Sequence, residues 1–132
     1  MKIKIVTSKK IKNRFTKDAI KEYAKRLTRY CKIQLNVTNK IEKEINRDSY
    51  LIKINNSGNM LTSEELADKI SSLGISGHSH LTFVFDDEHQ VENADFKLKI
   101  SNMDIDSDLL LIILYEQIYR AYRIINNEPY HK

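Results

Sequence analysis

The stretch from Ser107 to Lys132, SDLLLIILYEQIYRAYRIINNEPYHK, constrains the rest of the chain more than any other. Leu109 to Tyr115 is an unbroken apolar run, and Ile118, Tyr119, Tyr122 and Ile125 continue it at helical spacing. A helix that is apolar all round must be buried on more than one face. At about 16 to 18 residues, interrupted by Glu116 and Arg120, it is too short to span a bilayer. It therefore needs the rest of the domain on one side, and a second copy of the chain on the other is the expected partner. The 107–126 helix is then the homodimer surface. The plainer alternative is a core helix with a frayed end.

A chain of 132 residues makes one domain, 1–132, with room for a real core. The single cysteine, Cys31, excludes an internal disulfide. No apolar leader and no membrane span is visible, so a cytoplasmic location is expected. The net charge of +4 hides an asymmetry. Residues 1–32 hold 12 of the 22 Lys and Arg against Asp18 and Glu22, whereas residues 86–108 hold eight acids against Lys97 and Lys99. A basic end suits phosphate backbones, because neutralising phosphates releases counterions. A solvated, unremarkable face explains the same charges equally well.

Lys2 to Thr7 alternates as a strand. A basic loop follows, then a helix from about Thr16 to Tyr30, with Thr16 as its cap and Asp18 in its first turn. Ala19, Ile20, Tyr23, Ala24, Leu27 and Tyr30 form its apolar stripe, and Lys17, Lys21, Lys25 and Arg29 face away. Ile33, Leu35 and Val37 mark a second strand, and Tyr50 to Ile54 a third. Between them, 38–49 is a polar connection with room for one helical turn. Asn55 to Asn59 has turn chemistry. Thr62 and Glu65 form a capping box for a helix that Gly74 can close. Leu81 to Phe85 reads as a buried parallel strand, Phe96 to Ser101 as a short last strand, and the long helix begins at Ser107.

The order β-α-β-β-α-β-β-α argues for an α/β fold: a mostly parallel sheet with helices on both faces. Ligands in such folds sit beyond the carboxyl ends of the strands, here after Ile54, Phe85 and Ser101. Gly58, Gly74 and Gly77 form no phosphate-binding loop. His78 and His80 lack a third ligand at metal-site spacing, so no metal is expected. Cys31 has no nucleophile signature around it. Ser107 and Asp108 beside His131 are better explained by helix capping than by hydrolysis.

The C-terminal residues Glu116-Gln117-Ile118-Tyr119-Arg120-Ala121-Tyr122-Arg123-Ile124 and Glu128-Pro129-Tyr130-His131-Lys132 resemble the ending of the ribosomal RNA large subunit methyltransferase H family, of the SPOUT class. Met1 to Ile5, Lys10 to Lys12 and the Ala19 to Leu27 stripe resemble its opening strand and helix. Gly58 with Met60 to Glu64, Thr82-Phe83-Val84, and Leu98, Ser101 and Met103 are similar to its later strands and loops.

The resemblance implies a homodimer with a C-terminal trefoil knot over roughly 80–132, an exception to unknotted topology. It implies S-adenosylmethionine as cofactor, large-subunit rRNA on the ribosome as partner, and methyl transfer to N3 of a pseudouridine. By the same resemblance Arg120, Tyr130 and His131 are the catalytic candidates. Ile54, Gly58, Phe85, Ile100, Ser101 and Met103 are the cofactor contacts, while Lys10, Lys12, Lys21, Lys25, Arg29 and Lys132 would meet RNA.

The chain departs from the family pattern in three places. Phe85-Asp86-Asp87-Glu88-His89 replaces a glycine-rich cofactor loop and is shorter; glycines allow close backbone approach. Asp106, Ser107 and Leu111 replace a proline, a histidine and an arginine. Lys9 replaces a glycine, and the stretch before the third strand is shortened. The leading reading is thus a diverged paralogue, a dimer with weak or lost methyl transfer that still meets RNA or the ribosome. The alternative is an active methyltransferase with a remodelled cofactor loop.

Overall fold

The computed structural model describes residues 1–86 and 91–130. Five strands, β1 (Lys2–Thr7), β2 (Lys32–Val37), β3 (Tyr50–Met60), β4 (His80–Phe85) and β5 (Phe96–Lys99), alternate with three helices, α1 (Arg14–Leu27), α2 (Ser63–Ile75) and α3 (Ser107–Ile125). The element order is the one read from the sequence. All pairings are parallel, in the spatial order β2-β1-β4-β3-β5.

Parallel crossovers are right-handed. The steps β1→β2 and β3→β4 run in the same direction across the sheet, so α1 and α2 must lie on one face. The steps β2→β3 and β4→β5 run the other way and must cross on the opposite face. The cores obey this. Ile3, Ile5, Leu81 and Phe83 pack with α1, α2 and α3 in the larger cluster. Val6, Leu51 and Val84 pack with Ile41 and Val91 in a smaller one. The three α-helices therefore share one face rather than covering both. The β2–β3 connection carries only a 3-10 turn, Ile41–Glu44, because the residues available there are too few for an α-helix.

Local chemistry sets the helix ends. Asn13 stands at the N-cap of α1 and Thr16 lies buried one turn inside, so the helix starts earlier than the Thr16 cap predicts and has no acid in its first turn. The Thr62–Glu65 capping box of α2 is present in both directions. Gly77, not Gly74, takes the left-handed conformation after α2, at φ 93°. Asp106 caps α3 by accepting from the Asp108 N–H at 3.0 Å. α3 lies between α1 and α2 and buries Leu111, Leu114, Tyr115, Ile118, Ala121 and Tyr122. Leu111 is thus core of the single chain, so a charge placed there would test folding before it tested dimerisation.

β3 runs beyond the expected Ile54. Both Ile54 and Asn59 pair with Leu98, so the intervening residues bulge out of the ladder, with Asn55 Oδ1 accepting from Ser57 N–H at 2.6 Å. Gly58 permits this: a Cβ there would lie 2.6 Å from the Lys97 carbonyl oxygen. Replacing Gly58 with valine should destabilise the fold by about 2 kcal/mol, as overpacking does, and urea unfolding measures it. An unchanged midpoint would mean that the bulge yields freely.

Candidate functional site

A cavity of about 420 Å3 opens where the carboxyl ends of β1, β3, β4 and β5 meet the start of α3. That volume is within the range of small-molecule sites. Its apolar wall includes Ile11, Ile54, Phe85, Ile100 and Leu111, and its polar groups include Thr7, Asn55, Asn56 and Ser101. Of the six cofactor positions named from the sequence, Ile54, Phe85, Ile100, Ser101 and Met103 line this cavity. Gly58 does not; it lies against the backbone of β5. Sequence reading missed Thr7, Ile11, Asn55, Asn56, Asp104 and Ile105. The rule that ligands sit at strand carboxyl ends could have found Thr7 and Asn55, since each directly follows or ends an apolar strand segment.

Asp86 borders the cavity, yet its carboxylate is turned away from it. Phe85 and Asp86 are neighbours at the end of β4, so their side chains take opposite faces. Asp86 Oδ2 lies 3.7 Å from Lys53 Nζ, with both side chains almost wholly buried. It also accepts from the Val91 N–H at 2.6 Å, and Lys53 Nζ donates to the Val91 carbonyl at 3.0 Å. The pair thus holds the β4–β5 connection against the helix-free face. Removing either partner would leave a buried charge alone, at a cost of about 3 to 5 kcal/mol. Asp87 lies outside the described residues.

Among the described residues, the other acids lining the cavity are Asp104, which is exposed, and Asp108, which is buried. Asp108 ties the start of α3 to the loop before α1. Its Oδ2 accepts from the Lys12 N–H at 3.2 Å, the Asn13 N–H at 3.1 Å and the Asn13 side-chain amide at 3.3 Å. Burial works against its charge, but these donors prevail and hold the carboxyl below the usual aspartate range. Lys9 also lines the cavity.

The catalytic candidates Arg120 and Tyr130 lie elsewhere. Arg120 is nine positions beyond the cavity residue Leu111 on α3, about 14 Å along the axis at helical rise, and neither Arg120 nor Tyr130 lines the cavity. Glu116 joins them: its carboxylate accepts from Arg120 Nε at 3.2 Å and from Tyr130 Oη at 3.0 Å. The Arg120 guanidinium stacks over the Tyr130 ring at 4.8 Å, and Tyr119 meets that ring edge-on at 5.0 Å. Burial, then the hydrogen bond to Glu116, pushes the Tyr130 phenol up to about 12. The bond to Glu116 raises Arg120 further, so it stays cationic. Glu128 pins the tail by accepting from Tyr30 Oη at 2.6 Å and Arg123 at 2.9 Å. His131 and Lys132 lie outside the described residues.

Lys10, Lys12, Lys21, Lys25 and Arg29 are all exposed. Arg29 is 3.7 Å from Glu128, so its charge is shared with the tail. Burial pushes the Cys31 thiol up to about 11, which leaves it unreactive at neutral pH. Among the described residues no group of three His, Cys, Asp or Glu could hold a metal, and no helix is long and apolar enough to cross a membrane.

The family model described as "Predicted SPOUT methyltransferase" matches residues 1–131. A protein named ribosomal RNA large subunit methyltransferase H from Alkaliphilus oremlandii is 40% identical, and one of the same name from Acetivibrio thermocellus is 36% identical, each with both chains covered completely. Those alignments run over 159 positions against the 132 residues here, so they open gaps within this chain. A solved structure from Bacillus anthracis matches over the whole of both chains with a TM-score of 0.52 at 16% identity, a likeness of fold.

Asp108 gives the cavity a measurable acid limit. Because its folded carboxyl is held low, its contribution to stability is full above the ordinary aspartate value, about pH 4. It is lost as pH falls through the lower folded value. Thermal melting from about pH 6 to pH 3 should show a steep acid limb. Asp108→Asn should lower the melting temperature at neutral pH and flatten that limb. Parallel curves for the two proteins would count against the role of Asp108.

Proposed function

The chain belongs to the ribosomal RNA large subunit methyltransferase H family of SPOUT methyltransferases, and from that membership we propose that it binds S-adenosylmethionine in the cavity and methylates ribosomal RNA. The observation that carries the reading is the convergence of Ile54, Phe85, Ile100, Ser101 and Met103 on one cavity of suitable size. The lining suits the cofactor chemically. Ile54, Phe85 and Ile100 would receive the adenine ring, and Asn55, Asn56 and Ser101 would meet the ribose and the amino-acid end. Asp104 and Asp108 favour the positive sulfonium and ammonium groups, while Asp86 is neutralised by Lys53 and so does not repel the carboxylate. When bound, the cofactor supplies an electrophilic methyl group.

The proposed acceptor is N3 of a pseudouridine, an imide nitrogen that must lose its proton, here to solvent water, to become nucleophilic. Arg120, held cationic by Glu116, favours the deprotonated base. Tyr130 keeps its proton at neutral pH and acts as a hydrogen-bond donor or stacking surface rather than as the base.

Arg120, far along α3, and Tyr130, in the tail beyond it, do not line the cavity of their own chain, so the reading includes a homodimer in which the tail of one copy approaches the cavity of the other. Its surface would be the outer stripe of α3, where Leu109 is 46% exposed and Ile112 and Ile113 are half-buried. The trefoil knot belongs to the same proposal. It is supported by the return of the chain from the edge strand β5, across the carboxyl ends of the sheet, to the middle of the helical layer.

A second reading, a diverged member with weak or lost transfer, is favoured by the same acidic rim. Asp104 is exposed on the cavity lining and Asp106 is exposed two residues further on, and like charge slows the approach of substrate phosphates.

Incubation with ribosomal subunits and methyl-labelled cofactor decides between the readings. Label should enter large-subunit rRNA with the wild type and be lost with Ser101→Trp, which fills the cavity. Cofactor binding without label would select the diverged member. Sedimentation tests the dimer: Leu109→Asp combined with Ile112→Asp should give a folded monomer, and a species identical to the wild type would remove α3 as the interface.

A further inference from the structure

The helix-free face has an opening of its own. The 3-10 turn and Val91 cover only the carboxyl half of the sheet there, over Val6, Leu51 and Val84. The amino-terminal half is left as a groove of about 420 Å3, lined by Lys2, Lys4, Lys32, Gln34, Asn46 and His80 among others, and by no Asp or Glu. Register makes the charge dense. Lys2 is paired with Lys32 on one side and His80 on the other. Three adjacent strands thus present cationic or protonatable side chains in one row, about 4.8 Å apart. Like charges directly opposite one another destabilise a sheet, and among the described residues that line the groove there is no Asp or Glu to offset them. Lys4 is held by the Glu44 carbonyl at 2.8 Å, with the Glu44 carboxylate 3.8 Å away. Lys2 and Lys32 are exposed and make no ion pair among the described residues.

The groove is also continuous with a second concavity at the amino-terminal rim. Lys2, Lys32 and His80 belong to both, and the second adds Arg29 and Tyr30. The result is a basic band at the end of the sheet remote from the carboxyl-end cavity; the Tyr30 ring is itself stacked on Tyr122 at 5.5 Å and covered by Arg29.

We propose that this band binds the phosphate backbone of single-stranded RNA, as a contact surface separate from the methyl-transfer cavity. Charge complementarity selects a polyanion, and the choice of RNA rests on the reading in the preceding subsection. The lysine row would neutralise successive phosphates. Binding there tolerates any sequence, because nothing in the row reads a base edge. It would hold a long rRNA segment while another part of it enters the cavity.

Fluorescence anisotropy with a short labelled oligouridylate over a salt series tests this. The double variant Lys2→Gln, Lys32→Gln should bind about tenfold more weakly at low salt, and its salt slope should be shallower by about 1.4, since each single-strand phosphate contact contributes about 0.7. The variant should melt at or above the wild-type temperature, because a like-charge pair has been removed. Wild-type affinity and slope in this variant would overturn the proposal. If Lys21→Gln with Lys25→Gln then loses binding instead, RNA lies on α1. A wild type that binds S-adenosylmethionine but no oligonucleotide would overturn the band and leave the cofactor reading standing.

Discussion

The handedness of parallel crossovers governs this molecule. Two of its four strand-to-strand steps run one way across the sheet and two run the other, so the connections must divide between the faces. Those on the helical face are long enough to carry α1 and α2, and α3 fills the space between them. Those on the other face are shorter, and the β2–β3 connection carries only a 3-10 turn. From this imbalance come the thick core on one side, the thin one on the other, and the bare amino-terminal half of the sheet.

The thin face must be held by something other than apolar mass. The Lys53–Asp86 pair does this from within, joined to the backbone of Val91. Asp95 adds a second fastening, accepting from the Leu51 N–H at 2.7 Å while its own N–H donates to the Leu51 carbonyl at 2.9 Å. Val91 and Asp95 are thereby fixed to β3 and to the end of β4, beside the cavity. The aspartate that interrupts a glycine-rich pattern in sequence is a structural anchor for the sheet, and its charge is spent on Lys53.

Strand and helix order was legible because its signals are local: alternation in Lys2 to Thr7, the apolar run from Leu81 to Phe85, and the capping box at Thr62 and Glu65. The cavity was legible in outline because strand carboxyl ends are where such folds bind ligands. What escaped was set at long range. Nothing near Asp86 announces Lys53, which is 33 residues earlier and on a different strand. The role of Gly58 depends on the Lys97 carbonyl, a contact that a turn-forming composition around Asn55 to Asn59 does not reveal. Asp108 looked like a cap of its own helix, whereas its carboxylate serves the loop before α1. The lysine row on the open face was invisible because Lys2, Lys32 and His80 meet only through register.

The claim on which the functional account turns is that the cavity holds S-adenosylmethionine. Isothermal titration of the purified chain with S-adenosylmethionine, and with S-adenosylhomocysteine in parallel, tests it most directly. The account predicts one site per chain, with the methyl donor bound more tightly than its demethylated product, because Asp104 and Asp108 attract the sulfonium that only the donor carries. No heat from either ligand up to about millimolar concentration, equivalent to binding weaker than about 4 kcal/mol, would contradict it.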